Sequence, residues 1–176
     1  CIRDRQKMLQ CGVPFTKKPV ALQFDYKVKM SDRENRIRAT GFSKITDVPG
    51  KDYPAAILLL QKRWEDANGN VYAKRIGTMV TYYYHSTDWK NNVTYEIMYG
   101  DITNRPEYKA HMMRLQATES YTVNSKGESV PIHEVAWGDE NDVPTHMYIQ
   151  FTSSHGGAYI GSPGNTLWVD NVKLVY

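Results

Sequence analysis

The sequence predicts an all-β protein, an antiparallel β-sandwich of jelly-roll, galactose-binding-like type with at most one short helix. Three observations carry that expectation. Apolar and polar residues alternate along most long stretches, which is the period of a half-buried strand. Short clusters of Gly, Pro and Asn separate those stretches, as in hairpin-connected sheets. The aromatic residues are 13 Tyr and 4 Trp against 4 Phe. Tyr and Trp rings, apolar in the body and polar at the tip, suit half-exposed sheet positions and binding sites alike.

The elements follow in order. In 22–29, Leu22, Phe24, Tyr26 and Val28 make an apolar face, and Gln23, Asp25, Lys27 and Lys29 a polar one. Residues 55–64 begin as an unbroken apolar run and end mixed, which suits a more central strand. Asn68-Gly69-Asn70 comes next, and both residue types accept the positive φ of a tight hairpin turn. Strands are expected at 71–74 and 76–85, the latter with Tyr82-Tyr83-Tyr84 placing rings on both faces. Further strands are expected at 93–99, 146–153 and 167–176. The stretch 105–141 differs: 108–117 holds good helix formers without Gly or Pro, with Pro106 near a first turn, and a short helix is expected there. Residues 139–144 read as an acidic loop. Leu22, Phe24, Ile57, Leu59, Ile149, Phe151 and Leu174 are expected in the core.

Composition narrows the function. The chain of 176 residues suits one domain, and with 41% hydrophobic and 23% charged residues disorder is not its default reading. The net charge of +3 is spread along the chain, without the concentrated basic stripe that nucleic-acid binding needs. No apolar run reaches the roughly 18 residues of a membrane span. The opening Cys-Ile-Arg-Asp-Arg holds no signal peptide. A first-position Cys1 marks either the lipid-carrying residue of a processed bacterial lipoprotein or a truncation point. Cys1 and Cys11 are too few for a disulfide scaffold, and no Cys/His spacing fits a metal.

Catalytic signatures are absent. There is no Gly-x-Ser-x-Gly elbow, His-Glu-x-x-His or phosphate loop. The glycine-rich 156–164 stretch opens no helix and reads as a tight connection. Asp170 sits inside the last expected strand, where aspartate needs a partner. The favoured reading is a loop-amide cap or a solvent-facing carboxylate, with a ligand for a structural calcium ion as the alternative. The polar strand faces are the more telling constellation. Gln23, Asp25 and Lys27 share one, Gln61 and Arg63 another, Thr81, Tyr83 and His85 a third, and Tyr148, Gln150 and Thr152 a fourth. Rings beside amides, carboxylates and guanidiniums are what sugars need, since their C–H faces stack and their hydroxyls pair. Trp89 and Trp137 are expected in loops, as apolar plugs or stacking platforms.

Several segments together resemble the carbohydrate metabolism domain of surface and secreted proteins of gut anaerobes, a family whose functional name is itself an inference. They are Gly12-Val-Pro-Phe through Lys27; Asp52 ahead of Ala56-Ile-Leu-Leu-Leu60; Ile76-Gly77 followed by Trp89; Pro144 through Ser154; and Gly161-Ser-Pro-Gly-Asn-Thr-Leu-Trp-Val-Asp-Asn-Val-Lys-Leu-Val-Tyr176. The resemblance covers about 12–99 and 143–176, with the two ends the specific parts. Lys18 stands where the family pattern has Arg, Val28 where it has Tyr, and the stretch near 100–142 is longer. The resemblance implies a single jelly-roll domain over 1–176 that lacks its first strands, extracellular, cell-surface or periplasmic export, and a role in glycan acquisition. It supplies no catalytic residues.

The leading expectation is therefore a non-catalytic glycan-binding or adhesion domain with a carbohydrate ligand. Arg63, Tyr83, His85, Trp89, Trp137 and Gln150 are the candidate contacts. The rivals are a glycoside hydrolase or lyase on a sandwich scaffold, and a docking module with a protein partner in a surface complex. Two carboxyl groups about 5–10 Å apart in a cleft would favour hydrolysis.

Overall fold

The computed structural model describes residues 9–40, 45–112, 120–157 and 159–176, and these are nearly all β. The strands in chain order are β1 (Val13–Pro14), β2 (Ala21–Lys29), β3 (Arg36–Arg38), β4 (Thr46–Val48), β5 (Ala55–Glu65), β6 (Val71–Tyr82) and β7 (Thr87–Glu96). They continue with β8 (Met98–Tyr99), β9 (Tyr121–Val123), β10 (Ser129–Trp137), β11 (His146–Thr152), β12 (Ile160–Gly161) and β13 (Thr166–Val175). In place of the helix expected at 108–117, the described residues hold a 3-10 turn, Ala110–Met112. The rest of that expectation, and Cys1, fall outside the described residues.

Three sheets result. One runs β1–β11–β5–β6–β10–β9, with β8 also paired to β6; the others are β12–β3–β4 and β13–β2–β7. The expected antiparallel pairing holds for the pairs whose register is resolved, with one exception. β10 runs parallel to β6, pairing Ile132 with Val71 and His133 with Tyr72. A parallel partner has to return over a long crossover, so no local hairpin signal announces it.

The chain divides into two compact units woven from alternating segments. One takes the chain up to Pro19, Leu58–Met79 and Ile97–Ile149; the other takes Val20–Ile57, Val80–Glu96 and Gln150–Tyr176. In the first unit, Asp66 closes the β5–β6 hairpin. Its Oδ1 accepts from the backbone N–H groups of Asn68 and Asn70, both at 2.9 Å. Gly69 takes φ +92° at the turn, and a Cβ there would stand 2.8 Å from Asn124 Nδ2. Glycine is therefore needed at that point for both backbone and space. Leu58, Leu59, Leu60, Ile76 and Ile102 are fully buried.

The second unit is a two-layer arrangement of rings. Leu22 and Phe24 on the inner face of β2 are fully buried. Phe24 meets Phe151 of β11 edge-on at 5.0 Å and stacks on Tyr95 of β7 at 5.2 Å. Such pairs add about 0.5–1.5 kcal/mol beyond the area they bury. Of the residues expected in the core, Leu22, Phe24, Ile57 and Leu59 are buried, while Ile149, Phe151 and Leu174 are half-buried.

Candidate functional site

In the first unit, polar side chains of β5, β6 and β10 turn inward and form a chain of charge-assisted hydrogen bonds. Glu134 is its hub. Oε1 accepts from Gln61 Nε2 and from Arg75 Nε, both at 2.6 Å, and Oε2 accepts from Arg75 NH2. Arg75 NH1 donates to the Met112 carbonyl at 2.6 Å. Arg63 donates from Nε to Gln61 Oε1 and from NH1 to the Cys11 carbonyl, each at 2.8 Å. The Arg75 side chain is 2% exposed and that of Glu134 13%. Burial pushes the Arg63 guanidinium down to about 10, against the opposing pull of Cys11 and Glu134, so it stays charged at neutral pH. Arg63 NH2 lies under Gly12, where a Cβ would come within 2.7 Å. A network so enclosed holds three strands in register; it does not present its donors to a ligand.

In the second unit, a carboxylate is buried in another way. Asp52 Oδ1 accepts from the backbone N–H groups of Tyr53 (3.0 Å) and His155 (3.1 Å). The Tyr53 carbonyl can only accept, so its 2.8 Å contact to His155 Nδ1 places the ring hydrogen there. The His155 ring stacks on Tyr82 at 4.2 Å. These contacts fasten the segment before β12 to the start of β5.

The open face lies on β13–β2–β7. Lys27, Val28 and Lys29 of β2, Ser86, Thr87 and Asp88 at the start of β7, and Trp168 of β13 line a depression of about 450 Å³. Strand parity explains its outer wall. Lys27 lies on the polar face of β2, and Trp168 is its register partner across the ladder, so the ring is turned outward with 41% of the residue exposed. Lys27 Nζ sits 5.9 Å from the Trp168 ring centre and 3.6 Å from Asp88 Oδ1. Two hydroxyls at the floor are fixed: Thr87 Oγ1 accepts from Val28 N–H at 3.2 Å, and Ser86 Oγ accepts from Met30 N–H at 2.9 Å.

The same face is braced by Asp25. Its Oδ1 accepts from Asn92 N–H at 2.5 Å and its Oδ2 from Asn171 Nδ2 at 2.7 Å. Asn92 and Asn171 take φ of 53° and 51°, and the register shifts beside them on both flanking strands. Asparagine tolerates that conformation better than most residues. The Asn171 amide, followed by the Asn92 N–H, holds the Asp25 carboxyl below its ordinary value.

The structure disperses the residues expected to touch ligand. Arg63 is enclosed in the network just described. Tyr83 is 6% exposed, because β6 ends at Tyr82 and its ring packs 4.7 Å from that of Tyr26; it leaves the open face on which parity alone had put it. His85 is exposed beyond the end of β6. Trp89 is on β7, not in a loop, and is 47% exposed. Trp137 ends β10, also a strand and not a loop, with the Arg75 guanidinium 5.7 Å from its ring centre. Gln150 is half-buried within β11. Asp170 faces solvent opposite Asp25 and accepts from Asn171 N–H at 2.8 Å. Among the described residues no group of three or more His, Cys, Asp or Glu is placed to hold a metal ion. Trp168 was missed, although its alternation with Asp170 already puts it on the polar side of the last strand.

These features define an all-β chain that carries an open, ring-bearing depression among its described residues. No family model matches the chain, and no curated protein matches it significantly. Among solved structures, it is similar to a proposed glycoside hydrolase from Bacteroides vulgatus, with a TM-score of 0.50 and 14% identity over 99% of this chain. This chain spans 58% of that protein's length. At that identity the likeness is one of fold.

Proposed function

We propose that the protein binds glycans without cleaving them, and that the Trp168 depression is where it does so. The observation that carries this reading is an outward tryptophan in a concave site beside a lysine, a carboxylate and two positioned hydroxyls. A sugar's C–H face stacks on such a ring while its hydroxyls pair with the charged groups. The volume falls within the range of ordinary small-ligand sites. The depression holds one carboxylate, Asp88, whereas both usual modes of glycoside hydrolysis use two. That contrast favours binding over hydrolysis at this place. A working place outside the cell is part of the same proposal. The fold likeness to a proposed glycoside hydrolase supports a glycan ligand.

The test is calorimetry with a glycan that the intact chain binds. Trp168→Ala is expected to lose at least about 2 kcal/mol, roughly thirtyfold in affinity, as loss of a stacking hot spot does. Unchanged affinity in a folded variant moves the site elsewhere.

A further inference from the structure

The first unit carries a second open surface of different chemistry. The β5–β6–β10 strands that turn Gln61, Arg75 and Glu134 inward turn Trp64, Tyr72 and His133 outward. Tyr72 and His133 are register partners. The Trp64 and Tyr72 rings lie 5.8 Å apart at 21°, and those of Tyr72 and His133 5.6 Å apart at 39°. Trp64 is 42% exposed and His133 is exposed. The result is a row of three rings, one from each of three adjacent strands. Two residues along, on the same side of β5 and β6, stand Lys62 and Lys74. Lys62 is neutralised by Asp142, with Nζ 2.7 Å from Oδ1. Lys74 is exposed and also lies within electrostatic reach of Asp142, so two lysines share one carboxylate.

We propose that this face binds a polysaccharide strand bearing carboxylates, its rings stacking on sugar faces and Lys74 pairing with a uronate. The inference is independent of the Trp168 depression. Two rival explanations lead to different results. Cross-strand rings also steady a sheet, but that role needs no neighbouring excess of lysines over carboxylates. Single-stranded nucleic acid also stacks on aromatic rows, but it brings a phosphate with every base and calls for a track of cations. Here one lysine is already spent on Asp142.

The experiment is titration of the intact chain with oligogalacturonate, a neutral xylo-oligosaccharide and oligothymidylate. Oligogalacturonate is expected to bind, and to bind more weakly as salt rises. Trp64→Ala is expected to lose about thirtyfold in affinity. Lys74→Glu, at an exposed strand position, is expected to weaken oligogalacturonate binding in a chain whose melting curve shows that it still folds. Trp168→Ala is expected to leave this binding intact. The proposal is overturned by failure to bind oligogalacturonate, by equal binding of the neutral sugar in Trp168→Ala, where the other site is removed, or by tighter binding of oligothymidylate. Insensitivity to Lys74→Glu, or loss of binding in Trp168→Ala, overturns it as well.

Discussion

The inner side of β5–β6–β10 and the outer face of β13–β2–β7 are built from similar residues and behave oppositely. Each has cations, a carboxylate and a tryptophan. In the first, Arg63, Gln61, Glu134 and Arg75 are paired with one another and shut away from water, with Trp137 beside them. In the second, Lys27, Asp88 and Trp168 meet over an open depression, and the Asp88 side chain is 99% exposed. The contrast teaches that residue type does not decide between scaffold and site; closure does. A buried ion pair contributes register and rigidity. The same groups in the open keep hydrogen-bonding capacity that, on the proposed reading, a glycan takes up.

The largest expected effect breaks the closed side. Glu134→Ala leaves the Arg75 guanidinium buried without its carboxylate and is expected to cost about 3–5 kcal/mol of stability, read as a lowered urea midpoint. A loss no larger than that of a surface substitution would show that the network is hydrated and open. Next comes Trp168→Ala, expected to cost about 2 kcal/mol in glycan affinity yet little in stability, since the ring is half out in water. The two variants should thus fail in different assays, and a shared failure would erase the distinction. Gly12→Ala forces a left-handed φ of +88° on alanine and drives a methyl into Arg63. It is expected to lose at least about 1–2 kcal/mol in the same urea experiment.

The smallest effect concerns pH at the open face. The Asp25 carboxyl titrates lower in the folded chain than when unfolded, because Asn171 and Asn92 donate to it. The stability it adds is present above its unfolded value and is lost as the pH falls through the folded one. Melting temperatures measured below about pH 5 should therefore fall less steeply in Asp25→Asn than in the parent chain. Parallel curves would show that the Asn92 and Asn171 bulges do not depend on that charge.

Much of the fold is legible in the sequence, and the candidate site is legible only in part. The alternation at 22–29 places Lys27 outward and Phe24 inward, as the structure does. Periodicity reports which residues share a face, but not whether something covers it. Gln61 and Arg63 share a face as expected, yet it is closed over them. The expected strand 76–85 overruns the true end of β6 at Tyr82, and beyond that end parity no longer predicts where Tyr83 points. β10 escaped notice because Pro131 interrupts it and because it pairs in parallel with β6, far away in sequence. Trp168 was within reach: a tryptophan in step with Asp170 on the polar side of a strand has no core to enter.

The most direct test of the central claim is a glycan-array screen run side by side with the intact chain and its Trp168→Ala variant, with both shown to be folded by their melting temperatures. Glycans without carboxylates should bind the intact chain, and those signals should disappear from the variant, while uronate-bearing glycans keep theirs. Undiminished binding of the carboxylate-free glycans by Trp168→Ala would contradict the assignment of the open depression as the glycan site.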